Sequence, residues 1–469
     1  MTNLREPASK LAPAPAKAEQ ADGLPQPRRL AAILALSLGT MVASLDAGGI
    51  NIALPTLAHE LQVAPSSVVL VVTVYQLALI MTVLPFAGLG DRIGHRTLFL
   101  CGQAVFVVAP LLCFFVRSLP ALMLIRGVQA LGAAAIFSVT AGMMRSVYPA
   151  RRLGGGMALN TIVAASTASL APTLGGLILG VADWPWLFAA CTPLAVIAIL
   201  CGRIALPDPQ RRKEPYDLAA ALMFALTVGL AVMGLESAMH AAALSVCAGL
   251  IGGAALLGVV FIRRELRQPR PVLPVDLLRD PTTALANLGS LLANVAISTM
   301  IITLPFRFRQ TFGYSPAETG LVLAAWPLVM MFVAPAAGML SDRVPASRLG
   351  GAGMAVALLG LISLALVPAQ PSHADLVWRL GLTAVGFGLF MSPNARQVLA
   401  IAPMHRVAAA GALSQTTRQA GQVLGSTTAA ALLASGAGAG SLPAVFAAAL
   451  ALMTGLCSFA MGRALARRA

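Results

Sequence analysis

Acidic side chains are scarce in this chain: 17 Asp and Glu stand against 32 Lys and Arg, and the charged types together make up only 10% of its 469 residues. That is far too little charge to cover a soluble globule of this length. Aromatic residues are also few, at 5%, while 58% of the chain is hydrophobic and the mean hydropathy is +0.84. The formal charge of +15 does not describe a nucleic-acid binder, because the basic residues form short clusters between long apolar runs with no aromatic side chains interleaved. The six cysteines (Cys101, Cys113, Cys191, Cys201, Cys247 and Cys457) show no C-x-x-C spacing, so neither a disulfide framework nor a zinc site is implied. The five histidines lack metal-ligand spacing, and no metal is expected. Nor is there a polar stretch large enough for a soluble catalytic or output domain. These absences leave an all-α polytopic membrane protein, since a helix satisfies its own backbone in lipid.

Apolar windows of about 20 residues place spans near 30–55, 68–90, 97–116, 121–147, 153–181 and 186–206. A second set of six fits 283–306, 318–340, 349–367, 376–397, 407–435 and 444–463. Between them, 218–239 and 243–262 add two more, for about fourteen spans in all. The organisation expected is a disordered cytoplasmic tail (1–29), an N-terminal six-helix half (30–206), a linker with two extra transmembrane helices (207–282) and a C-terminal six-helix half (283–469).

Charge bias tests the count independently. With the N-terminus inside, the inner loops collect most of the arginines, among them Arg92, Arg96, Arg145, Arg203, Arg263, Arg264, Arg343, Arg396 and Arg463, whereas the outer side holds only Arg117, Arg307 and Arg309. Both termini are therefore expected to be cytoplasmic. The halves also echo each other, as transporter repeats do: AGLGDRIGHR matches GMLSDRVPAS at Leu89/Leu340, Asp91/Asp342 and Arg92/Arg343, and Arg126 and Arg379 stand at similar depths in their halves.

One acid lies deep within a span: Asp46, in SLDAGGINIALP. An ionisable group at such depth costs a few kcal/mol or more, so it faces a protein-lined or watery interior, has a partner, and marks a substrate or proton path; the plainer reading is polar glue between helices. Asp46 is nine residues from Pro55 and Arg126 six from Pro120, roughly 13 Å and 9 Å below the outer end, so the two are expected to meet or nearly meet. Burial opposes the ionised carboxylate while a nearby guanidinium favours it, so a changing separation changes proton affinity. Asp91, just ahead of a new helix, is expected to cap its free N–H groups, with Gly90 and Gly94 permitting a tight turn. Asp91, Arg92, Gly94, Arg96, Asp342 and Arg343 together read as a reversible cytoplasmic latch.

At these residues the chain resembles a known family. AGLGDRIGHRTLFL is similar to the loop signature of the major facilitator superfamily, with Ala87 where Gly is usual. LMLIRGVQALGAAA resembles its proton-coupling motif, carrying Arg126 and Gln129 with Ala130 for Gly. SLDAGGINIALP, with Asp46, Asn51, Ala53, Leu54 and Pro55, and GALSQTTRQAGQVLG, with Arg418, resemble motifs of the fourteen-span drug:proton antiporters. SLAPTLGG keeps Pro172, Gly175 and Gly176 of the antiporter helix but has Ala171 for Gly, and Gly48 and Gly49 replace a bulkier pair, which is expected to loosen the first span.

The resemblance implies a major facilitator fold in the bacterial cytoplasmic (inner) membrane, acting as a monomer. Its expected function is proton-coupled efflux of small lipophilic compounds by alternating access. Asp46, Arg126 and Gln129 would couple protons, and Asn51, Tyr75, Gln76, Asn294, Arg379 and Arg418 would line the substrate cavity. No cofactor is expected, the proton gradient being the energy source; the partners are a small-molecule substrate, protons and the bilayer, not nucleic acid. One deep acid against three deep arginines favours neutral, zwitterionic or anionic substrates over dications. A carrier for one organic metabolite, in either direction, remains open as the alternative. A membrane enzyme would need clustered His, Asp, Ser or Cys near one interface, and no such cluster is seen in the sequence.

Overall fold

The computed structural model describes residues 23–149, 153–207, 217–239, 244–267, 275–341, 343–401 and 407–467. Among them every regular element is helical. In chain order the helices are α1 (Arg28–Glu60), α2 (Pro65–Val68), α3 (Leu70–Ile93), α4 (His95–Leu112), α5 (Leu119–Val147), α6 (Leu153–Val181), α7 (Pro185–Ala189) and α8 (Thr192–Ala205). Then come α9 (Leu218–Met239), α10 (Leu244–Glu265), α11 (Pro281–Gln310), α12 (Pro316–Leu323), α13 (Ala325–Leu340), α14 (Ala346–Ala365), α15 (His373–Ile401), α16 (Val407–Ala434) and α17 (Leu442–Ala466).

The helix starts have local causes. Proline opens α2, α5, α7, α8, α11, α12 and α17, where its missing N–H forfeits no helical bond. The Asp280 side chain accepts from the Thr283 N–H to cap α11, and Ser315 with Glu318 forms a capping box on α12, each satisfying donors that the first turn leaves free. Gly94 divides α3 from α4 at a φ of 105°, backbone that only glycine adopts without strain.

Twelve helices among the described residues are long and apolar enough to cross a membrane, against the fourteen or so read from the sequence. The 29-residue α6 and the 28-residue α16 fall outside the twelve. α6 carries the apolar segment Leu170–Val181. The polar residues of α16, Gln415, Thr416, Thr417, Arg418, Gln419 and Gln422, lower its hydropathy. Large apolar side chains stay exposed along the outer faces, such as Val108 and Leu111 of α4, Leu256 and Val259 of α10, and Leu456 and Phe459 of α17. Faces of this extent belong against hydrocarbon, not water.

Helix packing repeats across the chain. In the first bundle α1 packs on α6 and α8, α5 on α3 and α4, and α4 on α8; in the second, α11 packs on α16 and α17, α15 on α13 and α14, and α14 on α17. The sequence echo is thus matched by a repeat in three dimensions. The first bundle closes over Phe99, Phe106, Ile136 and Val139, and the second over Leu361, Leu380, Phe387 and Phe390.

The bundles meet where α6 contacts α12 and α13, α16 contacts α2 and α3, and α1 contacts α11. A third apolar cluster bridges them there, joining Ile50, Leu54, Val68 and Val72 to Ile302, Phe306, Ala429 and Ala430. These residues stand toward the C-terminal ends of α1, α11 and α16, which is the end of the molecule away from both chain termini; we call it the distal end. The remaining pair, α9 and α10, lies outside both bundles: α9 rests on α3 and α16, and α10 packs chiefly on α9. Gly48 and Gly49 do not loosen α1, which runs unbroken from Arg28 to Glu60. Close approach here falls to Gly175 of α6, where an added Cβ would stand 3.3 Å from the Gly49 carbonyl oxygen.

Candidate transport site

The deep acid finds its partner. Arg126 Nη1 donates to both carboxylate oxygens of Asp46 at 2.8 Å and to Gln129 Oε1 at 2.9 Å. Gln129 follows Arg126 by three residues, one turn along α5 and on the same face. Asp46 is 4% exposed, and Arg126 and Gln129 are fully buried. The guanidinium lies over the Tyr75 ring of α3, 4.2 Å from its centroid, and 5.2 Å from that of Phe188 in α7, where the negative ring faces attract it. A pair so deep is held by geometry, because removing either partner strands a charge in a dry site. It is also incomplete. Among the described residues, Arg126 Nε and Nη2 and Gln129 Nε2 have no hydrogen-bond partner. The arrangement can therefore take up a proton at Asp46 while the arginine keeps its charge and has donors to offer elsewhere.

The other expected cavity residues fare differently. Asn51 and Gln76 are half-buried with Asn51 Oδ1 and Gln76 Oε1 unpartnered. Asn294 donates to the Ser290 carbonyl of its own helix at 2.8 Å and packs against Gly421 of α16, a helix interface. Arg379, in the second turn of α15, donates to Asp375 at 3.1 Å, stacks on Trp378 and reaches the Ser363 carbonyl. The pairing Asp375–Arg379 has the spacing of one helical turn, a signal present in the sequence. Arg418 is half-buried on α16 and donates to Gln415 Oε1 at 2.8 Å. Arg379 is thus paired with an acid of its own helix.

The loop residues also differ from expectation. Asp91 is not the residue that precedes α4, a place held by Gly94: it lies within the last turn of α3, and its Oδ1 meets His95 Nε2 at 2.9 Å. The helix ends at Gly94, which comes three residues later than an Asp cap requires. Arg92 is exposed, and Arg96 reaches the Arg203 carbonyl at the end of α8. In the second bundle Arg343 is exposed and Arg396 donates to Ser341 Oγ at 2.8 Å; Asp342 lies outside the described residues.

Pro172, Gly175 and Gly176 stand where α6 passes between the bundles. A Cβ at Gly176 would be 2.7 Å from the Pro316 carbonyl oxygen, and one at Gly320 of α12 would be 2.7 Å from that of Pro172. Two side-chain ties escaped the sequence reading because they join distant segments. Thr73 Oγ1 donates to Ser426 Oγ at 3.1 Å, and Arg309 Nη1 donates to Thr56 Oγ1 at 2.6 Å; both link the bundles near the distal end. Gln103 was also missed, although it is fully buried with both amide atoms unpartnered; nothing in the local sequence distinguishes it from a lipid-facing position.

Comparison with known proteins fits this geometry. The chain is 39% identical over 440 residues to the uncharacterized transporter YebQ of Escherichia coli, spanning 93% of this chain and 96% of that one. It is 27% identical to the riboflavin transporter RibZ of Clostridioides difficile (84% of this chain, 86% of that one). It is 26% identical to the multidrug resistance protein Stp of Mycobacterium tuberculosis (87% and 76%). In fold it is similar to a bacterial homolog of the human lysosomal transporter Spinster, solved inward-facing and unoccupied, with a TM-score of 0.68 at 14% identity over 94% of this chain and 99% of that one. The paired bundles are those of a membrane transporter, and with the sequence matching the Major Facilitator Superfamily over residues 36–426, the chain belongs to that superfamily.

Proposed function

We propose that this transporter is a proton-coupled exporter of small lipophilic compounds, of the fourteen-span drug:proton antiporter type, in the bacterial cytoplasmic membrane with both termini inside. The observation that carries the reading is the buried Asp46–Arg126 pair, which joins α1 to α5 beneath the distal seal. Protonating Asp46 removes its charge and weakens its hold on Arg126, so the bundles can settle into a second arrangement; releasing the proton restores the pair and resets the cycle. Counting α6 and α16 with the twelve apolar helices gives fourteen spans, an even number that keeps both termini on one face. Arg126 and Arg418 support neutral, zwitterionic or anionic substrates, and the loops around Arg96 and Arg396 serve as latches within each bundle. The chain acts as a monomer.

Efflux from cells lacking their own drug pumps tests this, with cationic, neutral and anionic dyes and a proton uncoupler. Uncoupler-sensitive efflux that falls to background in Asp46→Asn is expected; undiminished efflux by that variant overturns the role of Asp46. The likeness to a riboflavin transporter favours a second reading, a carrier for one metabolite. It gains if no dye moves although the protein is present in the membrane.

A further inference from the structure

Outside the site, an apolar slot of about 350 Å³ opens where α9 and α10 lie against α3 and α16. Its walls include Ile80, Phe224, Val228, Val232, Phe261 and Val423. The one wall hydroxyl on α9, Thr227, is spent on the Met223 carbonyl at 2.7 Å, so the slot offers water almost nothing to bond and stays dry. Along α9 it runs from Phe224 to Val232, a rise of roughly 12 Å parallel to the helices, close to the depth of one leaflet in a hydrocarbon core of about 30 Å. Ala231 and Ile262 at its edge are exposed. Directly after Phe261 and Ile262, the last turn of α10 carries Arg263 and Arg264, followed by Arg267. Arg264 is taken by Asp217 at 2.9 Å, and Glu265 is buried, whereas Arg263 and Arg267 are exposed. An apolar groove one leaflet deep, with exposed cations following its wall residues along α10, matches a phospholipid in both parts, tail and headgroup.

We propose that this slot binds one acyl chain of an anionic phospholipid from the leaflet on the side of the chain termini, with its phosphate at Arg263 and Arg267. Since α3 belongs to the first bundle and α16 to the second, the lipid and the α9–α10 pair together span the seam between them. The site gives the two additional helices a task, and it stands whether or not the transported substrate is a drug.

The test is native mass spectrometry of the purified full chain in detergent, titrated with dioleoylphosphatidylglycerol or dioleoylphosphatidylcholine. Wild type is expected to retain one phosphatidylglycerol at least five-fold more strongly than phosphatidylcholine. Ala420→Phe, which fills the slot, should abolish retention of both, and Arg263→Gln/Arg267→Gln should lower phosphatidylglycerol to the phosphatidylcholine level. Equal retention of the two lipids by wild type overturns the headgroup assignment. Retention unchanged by Ala420→Phe overturns the slot, and so does a slot that takes a neutral dye but no phospholipid. Unfolding of Ala420→Phe would mimic loss of binding, so Val228→Phe serves as the second slot variant, and each variant's monodispersity and melting are recorded.

Discussion

At the scale of single residues the ion pair decides most. Arg126→Ala leaves the Asp46 carboxylate buried with no counter-ion, and breaking such a pair costs about 3–5 kcal/mol, so the purified variant should melt well below wild type. Replacing both partners by apolar residues, Asp46→Leu with Arg126→Met, removes the stranded charge and should recover most of that stability while leaving transport dead. Thermal unfolding in detergent, set beside vesicle transport, separates the two effects; a double variant as unstable as Arg126→Ala would show that the pair's worth lies in packing on Tyr75 and Phe188. This pair was legible in the sequence because a lone intramembrane acid and depth counting brought Asp46 and Arg126 to similar levels. The surroundings were not: Asp375 and Arg379 stand one turn apart on α15, and Asp91 and His95 pair across the break at Gly94, yet a reading by motif assigned the arginine to the cavity and Asp91 to a cap.

At the scale of elements, the crossing of α6 with α12 depends on atoms that are not there. Gly320→Val puts its first side-chain carbon 2.7 Å from the Pro172 carbonyl oxygen and 3.1 Å from the Gly176 Cα. Backbone on a proline-bearing helix gives way poorly, so the two helices must separate. The expected result is a protein that reaches the membrane but transports at a few per cent of wild type or less, with cysteines placed beside α12 labelled faster from the distal side; unchanged transport and labelling would show that this contact is not part of the seal. Sequence placed nearly every membrane-spanning helix here, since most are long apolar runs. It did not show which glycines are contacts: Gly48 and Gly49 read as a weak point of α1, whereas the tight approaches fall at Gly175, Gly176 and Gly320.

At the scale of the whole molecule, several contacts between the bundles lie at the distal end. Thr73–Ser426, Arg309–Thr56 and the cluster of Leu54, Val72, Ile302 and Phe306 are all there, so that end is shut in this structure. The sequence echo announced two related halves, but pairings 353 and 253 residues apart carry no local signal, and the state of closure was invisible to it. If transport requires the bundles to rock, these contacts must break and reform in every cycle. Thr73 and Ser426 approach to 3.1 Å between hydroxyl oxygens, close enough for cysteines to be tried as a bridge. Thr73→Cys with Ser426→Cys should therefore transport normally under reducing conditions, stop when oxidised and resume on adding a reductant, each single variant being indifferent to oxidant. Transport that continues with the crosslink formed, as judged by mobility on a gel, would mean that the distal contact is permanent and the substrate takes another route.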